Sequence, residues 1–296
     1  MMSSDFSTST HGKWILAGEH AVLRGSTAVV CPIPGKNLQL LFHPTQGDCK
    51  AEFTGDFSED AHLLFWSVLE QGLEWVGQSL AEVSGKFNLH NDIAMGAGMG
   101  ASAALCAALS RWFAWKEYIR ENEIFQFAKQ LEDLFHGQSS GVDIAGALTE
   151  IPLIYHANGE QQPLKFAWQP HLYLSYSDQV GVTSHCVKKV KELMARDPVL
   201  GERIDLAMHA SVELAIAALQ KNASDGLAEL TTAINQAHIC FRQWGLAGGK
   251  VEQHINQLLE AGALATKPTG SGDGGYVLSL WASPPDHRIS QNMLRC

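Results

Sequence analysis

Apolar positions recur along this chain with two periods, and at one place the first gives way abruptly to the second. Phe87, Leu89 and Ile93 fall two or four residues apart, the spacing of one face of a strand. From Ser102 the chain turns Ala-rich, with Leu105, Leu109, Trp112 and Phe113 on one helical stripe. Between them lies Gly96-Ala97-Gly98-Met99-Gly100, with glycine at alternate positions. Glycines there can take positive φ and let amide N–H groups converge. With the unpaired N–H groups of the new helix's first turn they offer a place for anionic oxygen, above all phosphate.

Upstream, Trp14, Ile15 and Leu16 predict a short buried strand after a mobile leader, and residues 28–31, 36–43 and 50–57 predict further strands. Residues 60–83 carry a helical pattern through Leu63, Leu64, Leu69, Leu73, Val76 and Leu80. Downstream of the glycine turn, a second helix is predicted from about 123 to 135, with Ile124, Phe127, Ala128, Leu131, Leu134 and Phe135 on its apolar face. Glu132 and His136 share a face one turn apart, a pairing that is more often surface chemistry. Gly137 ends that helix, and the turn Ser139-Ser140-Gly141 presents Asp143, which by itself could be a simple helix cap.

Residues 151–168 predict strands and a turn, and a domain boundary is expected near 168–172, giving domains 1–170 and 171–296. The second half opens on a strand at 172–177, then Val180-Gly181-Val182-Thr183 leads into a basic helix with Lys188, Lys189 and Lys191. Helices follow at about 202–221, 225–244 and 250–261. The end is a second glycine-rich loop, Gly270-Ser271-Gly272-Asp273-Gly274-Gly275, running into an apolar strand. The order of elements is mixed α+β rather than regular βαβ alternation.

Composition narrows the chemistry. A chain of 296 residues, 46% hydrophobic, can bury a large core and suggests two domains. The net charge of −10 argues against a nucleic-acid surface but not against a nucleotide substrate. Six scattered cysteines with no Cys-x-x-Cys pair suit a reduced cytoplasmic protein. No signal peptide and no apolar run of membrane-spanning length is read. The glycine turn is neither a Walker A loop, since no Gly-Lys-Ser/Thr closes it, nor the dinucleotide fingerprint, since its third glycine comes one residue early.

Taken together, separated segments resemble the motifs of the GHMP kinase superfamily. They are Gly12-Lys13-Trp14-Ile15-Leu16-Ala17-Gly18-Glu19-His20-Ala21-Val22, Gly96 through Ala104, and Lys267-Pro268-Thr269-Gly270-Ser271-Gly272-Asp273-Gly274-Gly275. A fourth, Glu132…His136-Gly137-Gln138-Ser139-Ser140-Gly141-Val142-Asp143, is similar to the family's Glu-x-x-x-His-Gly-x-Pro-Ser-Gly-x-Asp. The Gly-Glu-His-Ala-Val run looks most like the mevalonate kinases. The resemblance implies an α+β fold of two domains, the first like ribosomal protein S5 domain 2 and the second ferredoxin-like, with the active site in the cleft between them.

By the same resemblance the chemistry is phosphoryl transfer from ATP to the mevalonate 5-hydroxyl in isoprenoid precursor synthesis. Asp143 is the implied general base and Lys13 its partner. Gly96, Ala97, Gly98, Met99, Gly100, Ala101 and Ser102 are the implied phosphate loop, with Gly270 and Gly272 closing over it. Ser102 and Glu132 are the implied Mg²⁺ ligands, and hard oxygen donors suit that ion. Glu19, His20 and Thr183 match positions on the substrate side, with His20 expected to meet a carboxylate. The expected partner is a small-molecule acceptor, mevalonate before others, with no nucleic acid and no membrane; a homodimer is left open.

The sequence departs from the family at several positions. Met99 and Ala101 replace a leucine and a serine, Ser139 stands where proline is usual, and Asp273 replaces a glycine. A carboxylate beside phosphates is repulsive, so Asp273 is expected to point away or to cap a local N–H. Phosphomevalonate kinase is the nearest alternative; its acceptor brings an extra phosphate and should demand cations beyond Lys13 and the nearby Arg24. A homoserine or sugar kinase, and a non-catalytic GHMP-like binding protein, are the remaining readings.

Overall fold

A computed structural model describes residues 5–56, 58–137 and 139–296, without the side chains of 58–60 and 136. In chain order the elements are β1 (Phe6–Ala17), β2 (Thr27–His43), β3 (Lys50–Thr54), α1 (Ser58–Trp75), β4 (Lys86–Asn91), α2 (Ala101–Trp115), α3 (Ile124–His136) and α4 (Val142–Leu148). They continue with β5 (Leu153–His156), β6 (Gln161–Pro163), β7 (His171–Tyr176), α5 (Thr183–Arg196), α6 (Pro198–Gln220), α7 (Ala223–Gln243) and α8 (Lys250–Glu260). The last are β8 (Ala265–Pro268), β9 (Tyr276–Trp281), α9 (His287–Ser290) and β10 (Leu294–Arg295). Among the described residues no helix is long and apolar enough to cross a membrane.

The chain forms two compact units that interleave in sequence. The first takes residues 1–13, 35–95 and 100–150, the second 14–34, 96–99 and 151–296. In the first unit β4 lies between β2, to which it is antiparallel, and β3, to which it is parallel. The register sets Phe42 opposite Phe87 and Leu89 opposite both Leu40 and Phe53. Period-2 alternation sends those side chains to one face, where α1 and α2 bring Phe65 and Trp112. Phe87 stands 4.5 Å from Phe42, 5.1 Å from Phe65 and 5.1 Å from Trp112, ring centre to ring centre. That aromatic knot holds the strand–turn–helix β4–α2 in place.

In the second unit the start of β2 pairs with β5, which pairs with β6. A separate antiparallel sheet runs β10-β7-β9-β8. α8 lays Val251, Ile255 and Leu258 on that sheet against Tyr173, Val277 and Trp281.

Some boundaries differ from those read in the sequence, for physical reasons. β1 starts at Phe6, within the stretch expected to be a mobile leader. Its Ser/Thr-rich start is anchored because Phe6 and Thr10 are buried and the Thr10 hydroxyl donates to the Ala104 carbonyl at 2.8 Å. The two strands expected at 28–31 and 36–43 are one continuous β2. The helix expected over 60–83 ends at Trp75 and is followed by one 3-10 turn at Leu80–Glu82.

Truncating the hub of the knot, Phe87→Ala, should cost about 3–5 kcal/mol of unfolding free energy. Urea titration of the purified variant measures it, and a loss under about 1 kcal/mol would mean the knot does not carry the first unit.

Candidate active site

The first unit gathers one lysine and two carboxylates. Lys13, near the end of that unit's part of β1, is 3% exposed, and its ammonium is paired with Asp143 Oδ1. Asp143 lies in the first turn of α4, which follows Gly141 at φ 87° with no side-chain cap. A carboxylate is favoured there by the helix dipole. Lys13 reaches it across Gly100: a Cβ on that glycine would stand 2.8 Å from Lys13 Cγ and 2.9 Å from Cε. With φ at 79° and the lysine stem against it, position 100 admits only glycine without a shift.

Glu132, on α3, is 1% exposed, and its Oε2 has no hydrogen-bond partner among the described residues. Burial, then the Asp143 carboxylate, raises its pKa from the ordinary 4.5 to about 8, while Lys13 and the Ser139 hydroxyl pull the other way. The carboxyl therefore holds a proton near neutrality. Ser102 is half-buried in the first turn of α2. Hydroxyl and carboxyl oxygens, the Glu132 Oε2 without a partner among the described residues, are donor types that suit a hard divalent ion. The side chain of His136 and all of Gln138, both in the segment that resembles the family's, lie outside the described residues.

The glycine turn adopts the backbone anticipated for it. Gly96, Gly98 and Gly100 have φ of 67°, 82° and 79°, and α2 starts at Ala101 with no side-chain cap. Ala97, Met99 and Ala101 are buried, so the turn is anchored by the side chains between its glycines. Gly270, Gly272 and Gly275 also have positive φ. Within the second unit this loop touches the turn backbone to backbone: a Cβ on Gly270 would stand 3.3 Å from the Gly98 carbonyl, and one on Gly275 2.5 Å from that of Ala97. Asp273 adopts φ 54°; its carboxylate lies 4.0 Å from Lys189, which donates to the Gly245 carbonyl.

The residues expected on the substrate side each have partners within the second unit. Glu19 is 3% exposed and its carboxylate is bound by Lys267, itself wholly buried. The His20 ring packs edge-on to Trp244 and Phe241, and Nε2 donates to the Ser271 carbonyl at 2.8 Å. Burial lowers its pKa to about 4, so it is a neutral imidazole near pH 7 and offers no charge to a carboxylate. Thr183 opens α5 and donates to the Ser271 hydroxyl at 3.3 Å. Lys267 was missed as a functional candidate. The signal available was a glutamate that, with His20, interrupts the apolar run Trp14 to Val22 and has to find a cation if it is buried.

Residues 64–150 match the family described as GHMP kinases N terminal domain. A mevalonate kinase of Archaeoglobus fulgidus is 30% identical over 290 residues, covering 92% of this chain and 91% of that protein. One of Thermococcus gammatolerans is 27% identical, covering 92% of this chain and 88% of that one. The structure of L. major mevalonate kinase in complex with R-mevalonate has a TM-score of 0.78 at 24% identity, over 95% of this chain and 89% of that one, a likeness of fold. Fold and glycine loops thus define a GHMP kinase, α+β and of the two-domain type. Within that superfamily the chain belongs to the mevalonate kinase family.

The raised pKa of Glu132 has a consequence for stability. Between pH 4.5 and about 8 the folded protein holds a proton there that the unfolded chain has released. The native state binds more protons across that window, so this group's contribution falls as pH rises. Glu132→Gln should therefore flatten the decline of Tm from pH 5 to 8 in metal-free buffer. Parallel Tm curves for variant and parent would contradict a buried, neutral carboxyl.

Proposed function

We propose that the chain transfers the γ-phosphoryl group of ATP to the 5-hydroxyl of mevalonate. The observation that carries the reading is the Lys13–Asp143 pair, buried on the lysine side and stacked across Gly100, a residue of the proposed phosphate loop. Phosphoryl transfer asks little covalent chemistry of a protein: it needs positioned phosphates, a neutralising cation, an in-line alcohol and a proton acceptor. In this reading Asp143 accepts the hydroxyl proton, and Lys13 neutralises charge developing on the attacking oxygen. The uncapped first turn of α2 and the amides of 96–102 receive phosphate oxygens. Gly270 and Gly272 let the last loop lie close to them.

Mg²⁺ is the divalent ion this reading includes. Ser102 and Glu132 would hold it, and it would supply charge neutralisation to the triphosphate. The substrate-side assignments are retained only in part: Thr183 is kept as a wall residue, while Glu19 and His20 act through neighbours. A phosphorylated acceptor is disfavoured because Arg24, the nearest additional cation in the sequence, is held in a two-pronged pair with Asp205 at 2.5 and 2.6 Å. The six free cysteines suit a reducing compartment, and we place the enzyme in the cytoplasm. The two domains of the family, divided near residue 170, are retained as the functional division.

ADP release measured with mevalonate, phosphomevalonate, homoserine and galactose tests the reading directly. Mevalonate should exceed the others by at least tenfold in kcat/KM; a preference for any other acceptor overturns the assignment. Asp143→Asn should lower kcat by about 10²–10⁴ with little change in ATP binding, since a general base is worth that much. Unchanged turnover would remove Asp143 from its role. Ser102→Ala and Glu132→Gln should each shift the Mg²⁺ dependence of turnover to concentrations at least several-fold higher, and an unaltered titration would remove both from the metal.

A further inference from the structure

The second unit contains a buried ladder joining the first motif to the last glycine loop. Thr269 Oγ1 accepts the Ile15 N–H at 2.9 Å and donates to the Ile15 carbonyl at 3.0 Å. Lys267 Nζ donates to the same carbonyl at 3.1 Å and to Glu19 Oε1, and lies 5.2 Å from the Phe241 ring centre. His20 Nε2 donates to the Ser271 carbonyl at 2.8 Å. Lys267 and Thr269 thus grip the segment 15–20 with their side chains, and Ser271 meets it through its backbone carbonyl. Immediately beyond, Gly270 and Gly275 lie against the carbonyls of Gly98 and Ala97.

Lys267 is 0% exposed and Glu19 3%. A salt bridge so buried contributes little net stability, because desolvating both charges offsets their attraction, and apolar residues of the same volume usually serve as well. Its specific product is geometry: an ammonium with directed donors fixes the Glu19 turn to β8 at one separation. We infer that Lys267, through Glu19, is a positioning residue that sets the last glycine loop against the 96–98 phosphate turn, so that the backbone amides there are spaced for a triphosphate. The inference rests on the proposed role of those loops in binding ATP.

The test separates positioning from stability. In the double variant Glu19→Gln/Lys267→Met both charges are gone and the volumes nearly kept. It should melt within a few degrees of the parent, bind ATP at least tenfold more weakly by calorimetry without acceptor, and keep kcat within about threefold at saturating ATP. Glu19→Asp keeps both charges but shortens one arm by a methylene; it should raise the KM for ATP at least fivefold with Tm nearly unchanged. If the double variant does not fold, Glu19→Asp decides alone. ATP affinity within twofold of the parent in whichever variant folds overturns the inference. The parent assayed alongside keeps the two claims distinct: a parent that binds ATP but does not phosphorylate mevalonate sinks the functional reading, whereas an active parent with unaltered variants sinks only the ladder.

Discussion

Burying an ammonium group is expensive unless a carboxylate meets it, and Lys13 is 3% exposed with Asp143 as its partner. Much of the first unit follows from that constraint. The lysine has to travel from β1 past the start of α2, so position 100 has to lack a side chain. The aspartate has to be presented by a short helix whose first turn is open, which Gly141 and α4 provide. Glu132 shares the same low-dielectric neighbourhood. Burial, then the Asp143 carboxylate, raises the pKa of Glu132, and the one ammonium only partly offsets them. The cluster is short of one positive charge, and a divalent cation is what its donors suit.

The second unit answers a different demand, close approach of backbone to backbone. Gly272 packs against the Phe241 ring, where a Cβ would stand 2.9 Å from two of its carbons. Gly274 faces Gly181 across a gap with no room for a side chain. Asp273 keeps the left-handed turn at φ 54° although it is not glycine, as aspartate can at modest cost. Its N–H donates to the Leu246 carbonyl at 2.7 Å and Gln179 donates to its own carbonyl at 2.7 Å, so the backbone is held from both sides. The carboxylate is partly exposed and lies 4.0 Å from Lys189.

What was legible in the sequence was local. The change of period from Phe87-Leu89 to Leu105-Leu109, with glycines between, specified β4, the turn and α2, and the apolar stripe of 124–135 specified α3. The long helices of the second half were visible by the same periodicity. β8 was not, because Ala-Thr-Lys-Pro carries no alternation: all four residues are buried, on both faces. The start of β1 was hidden by Ser and Thr, whose hydroxyls find buried carbonyls only once the fold exists. Glu19 was read as facing substrate because its partner lies 248 residues away in sequence, and nothing local announces such a pairing. His20 was read as a charged contact for the same reason, since only packing against Trp244 and Phe241 makes it neutral.

The cations beside these loops share one property. Lys13 is paired with Asp143, Lys267 with Glu19, Arg24 with Asp205, and Lys189 lies 4.0 Å from Asp273. Each of these four positive side chains already answers a carboxylate, as a chain of net charge −10 makes easy. A triphosphate brought to the glycine turns therefore meets few uncommitted side-chain charges and must be balanced mainly by amide N–H groups and a divalent ion. Under the proposed function, Lys13 would be shared between Asp143 and the attacking oxygen rather than spent on holding phosphate. In the proposed function that division, backbone and metal for binding and the lysine–aspartate pair for proton and charge transfer, is how an acidic protein would handle a polyanion.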